Sequence, residues 1–461
     1  MRKALKLATL MGLTAALVLP TASMAEDVGM EEQTITIKGQ LRERIEYWKI
    51  DNSYRPVGNY RARIQIKAKL ADGVTAVFTP QAVGYWGENL QGVLLGESAS
   101  TYDEEPAYLA KADRGVSGTT NTLNLHEAYI LLNNAFGVDG LIVKLGRQEV
   151  NLGNQRLVGS VGWSQAARSI DGVLAAYKAG DFGTAIAFYG KLNESVNRFD
   201  AWTIPNTDTG DIDLYVASWQ GALKPFGIGG TYEATAIFVD GMEHSTIDNI
   251  NTFYFRGTPV VDLGSMKVKA NAEVAFQNGQ DQNGNDYKGY FFSVGGGATF
   301  ADVAAKPSVF VGYDYYSGDD GKDNDIDAFW SVLPTAHKWL GFADQIWVGN
   351  FYKFNGAFPT ATDEGITDLY VKFSAKPLAK VATLAHFHYF QTAEDVANPS
   401  NPNETSKDVG MELDLQAKYK YSKNLCLTLG YEWFDPDTAY EYKTDSSDTV
   451  HHLWLQADLK F

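Results

Sequence analysis

Arg147, Arg156 and Arg168 lie close together in the chain, with Gly153, Gly159, Gly162 and Trp163 among them. A strand-like run ends near Glu149 and another begins near Arg168, so the glycines read as turn formers in a loop. A guanidinium is a forked donor suited to carboxylates, and an indole offers a flat apolar face to a sugar ring. This stretch therefore suits contact with an anion or a sugar. The same arginines could instead pair with Glu149 and Asp171 and only hold the loop; the residues alone leave both readings open.

Other chemistry is sparse. His386 and His388 stand two apart on one strand face and could chelate a metal, but no further ligands cluster with them in the sequence. The acidic stretches Asp281 to Asp286 and Asp319 to Asp327 do not follow the spacing of a helix–loop–helix calcium site. Ser164 and Ser169 have no identifiable histidine partner for nucleophilic catalysis. The expectation is a protein that is not an enzyme and has no catalytic residues, cofactor or metal. With a formal net charge of −17, no nucleic-acid partner is expected.

The elements that must position these residues are strands. Residues 1–25 read as a secretory signal peptide: Arg2, Lys3 and Lys6, an apolar run from Leu7 to Leu19, and a small-x-small site at Ser23-Met24-Ala25. That apolar run is too short to span a bilayer, and nothing later supplies the roughly 20 apolar residues a helix needs. Cys426 is the single cysteine, so no internal disulfide forms. In Tyr60 to Leu70, the residues Tyr60, Ala62, Ile64, Ile66, Ala68 and Leu70 alternate with Arg61, Arg63, Gln65, Lys67 and Lys69. Period two marks one apolar and one wet face. Such runs pass ten residues, longer than the roughly five or six of soluble sheets and fit for a membrane.

Short turns alternate with long loops, the pattern of a transmembrane barrel. Residues 26–461 are thus expected to form an all-β, single antiparallel barrel with short periplasmic turns. Long extracellular loops are placed at about 86–121, 150–167 and 317–365. A first count gives one strand too many for two periplasmic termini. Placing Ser317 to Gly365 outside the wall leaves about 18 strands. Parity then puts Arg42, Arg44, Arg61, Arg63, Lys67, Lys69, Lys267 and Lys269 in the lumen. Glu412, Asp414, Glu432 and Asp458 also face inward and could neutralise that basic wall. Arg147 shares parity with Val143 and Leu145, so it needs a bulge to turn inward or else sits above the bilayer. The loop 317–365 is unusually apolar. It is expected to narrow the mouth through Trp330, His337, Lys338 and Trp339, or else to pack on the rim.

The wording of several segments resembles the alginate-export family of outer-membrane barrels. The matching pieces are Leu145-Gly146-Arg147-Gln148-Glu149, Arg156-Leu157-Val158-Gly159, Trp163-Ser164, Arg168-Ser169-Ile170-Asp171-Gly172-Val173, and Leu333 to Gly341. Asp368-Leu369-Tyr370-Val371 and Ala375-Lys376-Pro377-Leu378 add a third match. The resemblance implies an 18-stranded channel in the outer membrane of a Gram-negative bacterium, passing anionic polysaccharide or small acidic solutes. A general or small-solute porin is the alternative within transport; an outer-membrane enzyme or an adhesin barrel is the alternative outside it. The last strand, ending in Phe461, resembles the closing strand of outer-membrane barrels in general, which implies recognition by the assembly machinery. Outer-membrane lipid is the other expected partner.

Overall fold

The computed structural model describes residues 34–50, 53–86, 122–193, 212–241, 247–281, 283–346 and 364–461. The expected leader, nearly all of the loop 86–121, and the stretch 347–363 fall outside the described residues.

The alternating segments all become antiparallel strands. They are β1 (Thr34–Ile50), β2 (Ser53–Ala71), β3 (Val74–Tyr85), β4 (Thr122–Asn133), β5 (Leu141–Gln148), β6 (Ile170–Lys178), β7 (Thr184–Asn193), β8 (Ile212–Ala222) and β9 (Gly229–Gly241). There follow β10 (Ile247–Asp262), β11 (Met266–Asp281), β12 (Asp286–Tyr287), β13 (Tyr290–Phe300), β14 (Ser308–Tyr316), β15 (Ile366–Leu378), β16 (Val381–Asn398), β17 (Asn401–Lys420), β18 (Leu425–Pro436) and β19 (Val450–Lys460). Each wall strand pairs with its neighbours in chain order, and β1 pairs with both β2 and β19, so the sheet closes on itself. The two-residue β12 pairs with the end of β11 and continues the line of β13, which takes the rest of that edge. Counted that way the wall has 18 strands, as parity requires. A short helix, α1 (Thr438–Thr444), joins β18 to β19. Among the described residues no helix is long and apolar enough to cross a membrane.

The two faces of the wall differ sharply. Ile35, Ile37, Leu41, Phe253, Phe255, Phe276, Leu369, Phe373, Leu453 and Leu455 all stand exposed on the outside. That much apolar surface is wrong for water and right for the hydrocarbon of a bilayer. At the end of the seam between first and last strands, the terminal ring folds over a glycine. Gly39 and Phe461 exchange backbone hydrogen bonds of 2.7 and 3.0 Å, and the Phe461 ring lies where a Cβ on residue 39 would stand 2.1 Å from it. Only glycine admits the ring there.

On the inner face, polar side chains are buried rather than bathed in lumen water. Arg44, Arg61, Glu273, Asp314, Glu412 and Glu432 are all nearly inaccessible. The cause is that residues 149–169 and 317–346, the connections after β5 and β14, fold into the barrel and cover them.

Candidate functional site

The two inserted loops are bound to each other first. Leu333 N–H donates to the Leu157 carbonyl (2.7 Å), Gly159 N–H to that of Leu333 (2.9 Å), and Thr335 N–H to that of Gln155 (3.0 Å). A parallel bridge joins Val158 to Leu333. Around it Val150, Leu152, Leu157, Val158, Val332, Leu333 and Leu340 form one apolar core inside the barrel. Gly159 is required, since a Cβ there would meet Thr335 Oγ1 at 2.1 Å. Arg168 fastens the pair by donating to the Gly159 and Leu333 carbonyls at 3.1 and 2.7 Å.

The loop 149–169 lies against the basic wall of β1 to β3, and there the arginines grip backbone carbonyls in sequence. Arg42 donates to Gly162 O (2.8 Å), Arg44 to Trp163 O (2.7 Å), and Arg61 to Ser164 O (3.1 Å). Arg63 and Gln81 both donate to Ala166 O, at 3.3 and 2.9 Å. Period-two alternation sets these side chains one above another, so the ladder meets near-consecutive carbonyls of the turn-and-bend segment 162–166. Carboxylates take some of the remaining charge: Asp458 pairs with Arg42, Glu46 with Arg44, and Glu149 with Arg63. Arg61 has no carboxylate within ion-pair distance among the described residues.

The loop 317–346 lies against an acidic wall, and the polarity is reversed. Ala343 N–H donates to Glu412 Oε1 (2.7 Å) and Phe342 N–H to Asp414 Oδ1 (3.3 Å). Gly341 runs so close to Glu412 that a Cβ would stand 2.3 Å from Oε1. Glu432 accepts from Trp454 Nε1 at 2.7 Å. Of the four expected inward acids, only Asp458 touches the arginine ladder. Glu412, Asp414 and Glu432 bind loop or wall groups instead, so the feared neutralisation is local.

Arg156 ties the middle together. It donates from Nε to Glu273 (2.9 Å) and from Nη1 to Asp314 (2.8 Å), and Trp339 covers its guanidinium at 3.9 Å from the ring centroid. Burial alone would lower its pKa, but Asp314 and Glu273 raise it well above the ordinary value, so it stays charged. Nearer the arginine ladder runs a stack: the Arg44 guanidinium 3.5 Å from the centroid of Trp163, Trp163 on His337 at 4.0 Å, and His337 on Phe342 at 5.0 Å. His337 also bonds Asp344 at 2.9 Å.

The expected lumen residues thus divide. Arg42, Arg44, Arg61 and Arg63 face inward but act mainly as loop anchors. Arg156 is a fully buried internal staple, and Arg168, partly buried, fastens the two loops. Arg147 is a correction: no bulge turns it, and it sits on the outer face pairing with Asp171 at 2.6 Å, both side chains about half exposed. Lys67, Lys69, Lys267 and Lys269 keep the inward parity. Lys69 and Lys267 pair with Asp72 and Asp262, and Lys269 lies over the Phe310 ring at 4.9 Å. Trp330, His337, Lys338 and Trp339 lie on the loop 317–346, which packs against inward-facing wall residues and the other inserted loop rather than on the rim. Trp330 exchanges backbone bonds with the Gln277 amide, and Lys338 Nζ donates to Asn154 O (2.9 Å).

Three further residues were missed as partners. Ser169 does have a histidine: its Oγ lies 3.1 Å from His126 Nδ1, and His126 Nε2 lies 2.7 Å from Glu149. Glu149 also holds Arg63, so this chain runs on into the arginine ladder. His386 and His388 gain a third neighbour in Asp414, which the register places opposite His386. The acidic stretches turn on themselves, Asp281 accepting from Asn283 and Asn285 N–H groups and Asp319 from Gly321 N–H.

The family model described as Alginate export matches residues 71–454. The chain belongs to the alginate export family. No curated protein matches the sequence. Among solved structures, Acinetobacter baumannii OccAB4 superposes with a TM-score of 0.58 at 13% identity, covering 95% of this chain and all of that one. OccAB1 of the same organism gives 0.59 at 11% identity, covering 93% and 97%. Pseudomonas aeruginosa OpdK, solved with vanillate, gives 0.55 at 10%, covering 92% and 99%. These likenesses establish the fold, and with the family match the protein is an outer-membrane channel of porin type.

Proposed function

We propose that this member of the family is a passive channel for small acidic solutes in the outer membrane of a Gram-negative bacterium. The observation that carries the reading is which charges remain accessible. Glu273, Asp314, Glu412, Asp414 and Glu432 are sealed beneath the loops, and among the carboxylates left partly open Glu149, Asp344 and Asp458 are paired in turn with Arg63, His337 and Arg42, whereas Lys269 and Lys338 stay exposed and Arg256 and Lys372 partly so. Basic groups lining a confined path raise the local concentration of anions. Lys269 over Phe310 and Lys372 over Tyr370 (4.5 Å) also set cations beside aromatic faces, an arrangement suited to aromatic carboxylates. The vanillate in OpdK is of that class. A loop-filled bore favours small solutes over a polymer.

The family description favours a second reading, an anionic polysaccharide. Bilayer recordings at low salt separate the possibilities. Anion-selective reversal potentials with block by aromatic carboxylates support the first. Block by uronate oligomers alone supports the second. Cation selectivity contradicts both. Transport rather than catalysis is the role assigned to the Ser169–His126–Glu149 chain's surroundings, where it buttresses Arg63. Assembly through Phe461 is likewise proposed, on its seat against Gly39.

A further inference from the structure

We propose that the inner wall carries a binding site for a divalent transition metal of the zinc class, made by His386, His388 and Asp414. The register builds it: His386 and His388 are two apart on β16, and Asp414 of β17 pairs directly opposite His386. One ligand atom from each of the three lies within 4.8 Å of the others. The cluster holds two buried imidazole nitrogens with no hydrogen-bond partner among the described residues, His386 Nδ1 and His388 Nε2, and beside them Asp414 Oδ2, whose carboxyl also neighbours that of Glu412. His388 Nε2 and Asp414 Oδ2 are 3.7 Å apart, and both side chains are almost wholly buried. Unpartnered polar atoms in such a place are costly, and a shared cation would satisfy all three at once.

The surroundings orient the ligands as a metal requires. Asp368 takes His388 Nδ1 at 2.8 Å, which leaves the lone pair of Nε2 directed at the cluster. That carboxylate–histidine arrangement fixes the tautomer and makes the imidazole a better ligand. Phe342 N–H holds the other oxygen of Asp414, leaving Oδ2 for the metal. Two imidazoles and a carboxylate select zinc-class ions over magnesium or calcium, which prefer all-oxygen shells. Ligand distances near 2.0–2.2 Å would need the three side chains to draw in by roughly 1 Å. The competing arrangement is an imidazolium of His388 held between Asp368 and Asp414, with Lys372 opposite His386 across the strand pair.

The test uses the full mature chain folded in detergent micelles, stripped with chelator and titrated with Co(II) and then Zn(II). Heat-dependent gel mobility verifies a folded barrel in every variant. The expected result is one Co(II) per chain with a visible absorption band that Zn(II) abolishes. His386→Ala should remove stoichiometric binding, and Asp368→Asn should weaken it by about 10–100-fold. His451→Ala, on the outer face beside Tyr431, should bind as wild type does. Absence of stoichiometric binding in folded wild type, or undiminished binding in folded His386→Ala, would overturn the site and favour the imidazolium.

Discussion

The basic wall of β1 to β3 and the acidic wall of β15 to β18 solve one problem with opposite chemistry. Each must hold a loop inside a barrel where water would otherwise run. The basic wall offers N–H donors, so its loop presents carbonyls, from Gly162 to Ala166. The acidic wall offers carboxylates, so its loop presents amides, at Phe342 and Ala343. Charge on a lumen wall is therefore not the same as charge offered to a solute. The arginine ladder is largely engaged by backbone, and the side chains left for solutes are others. The two loops meet at Arg156, which lies under Trp339 and pairs with Glu273 of β11 and Asp314 of β14, outside both walls.

The largest break in this arrangement is expected from Arg156→Ala. It leaves two buried carboxylates without their partner, a change that typically costs about 3–5 kcal/mol. Chemical unfolding in detergent should show a less stable or split transition, and conductance should rise as both loops loosen. Next comes the ladder. Arg61→Gln should lose about 1.5–3 kcal/mol of charge-assisted bonding to Ser164 O and Gln165 O. Arg61→Lys should recover part of it, because both bonds leave the single nitrogen Nη1 and an ammonium brought to the same place has donors for both. Hydrogen exchange at residues 162–166 reads out both variants.

The acidic wall sharpens the contrast through a smaller effect. Glu412→Gln keeps an oxygen for Ala343 N–H and should change stability by less than about 1 kcal/mol, whereas Glu412→Ala should cost about 1–3 kcal/mol. If the two behave alike, the carboxylate is not holding the amide. The smallest effect concerns Lys338. Although the side chain is exposed, partial desolvation inside the bore, and then Arg256 and Arg156, lower its pKa. The folded chain therefore releases this proton before the unfolded chain does. Between the two pKa values the unfolded chain binds more protons, so stability rises with pH there. The lumen meanwhile loses a positive charge, and anion preference should fall at a lower pH than an ordinary lysine would set. Lys338→Met should abolish that step in a pH series of reversal potentials.

Much of the barrel is legible in sequence because its signal is a side-chain period. Alternation in Tyr60 to Leu70 marks β2, and parity alone rejects an odd strand count. Parity also argues that Arg147 faces away from the lumen unless a bulge intervenes, and none does. The loops' inward fold was less visible because backbone atoms make its decisive contacts. Nothing in the identities of Gly162, Ser164 or Ala343 announces a carbonyl or amide aimed at a charge. Arg156 looked like a ligand for a solute since its true partners, Glu273 and Asp314, lie over a hundred residues away on other strands. Asp414 was read as lumen-facing, yet its place opposite His386 depends on a register that sequence alone does not fix.

Opposite walls hold both loops in the bore through the loops' backbone groups. Single-channel conductance of Arg44→Gln/Arg61→Gln/Glu412→Ala, in protein shown to be folded by heat-dependent gel mobility, tests it most directly. A larger conductance than wild type is expected, with more open-channel noise as the loops move. Conductance equal to wild type in the folded triple variant would contradict it, because the loops would then be held without the groups assigned to hold them.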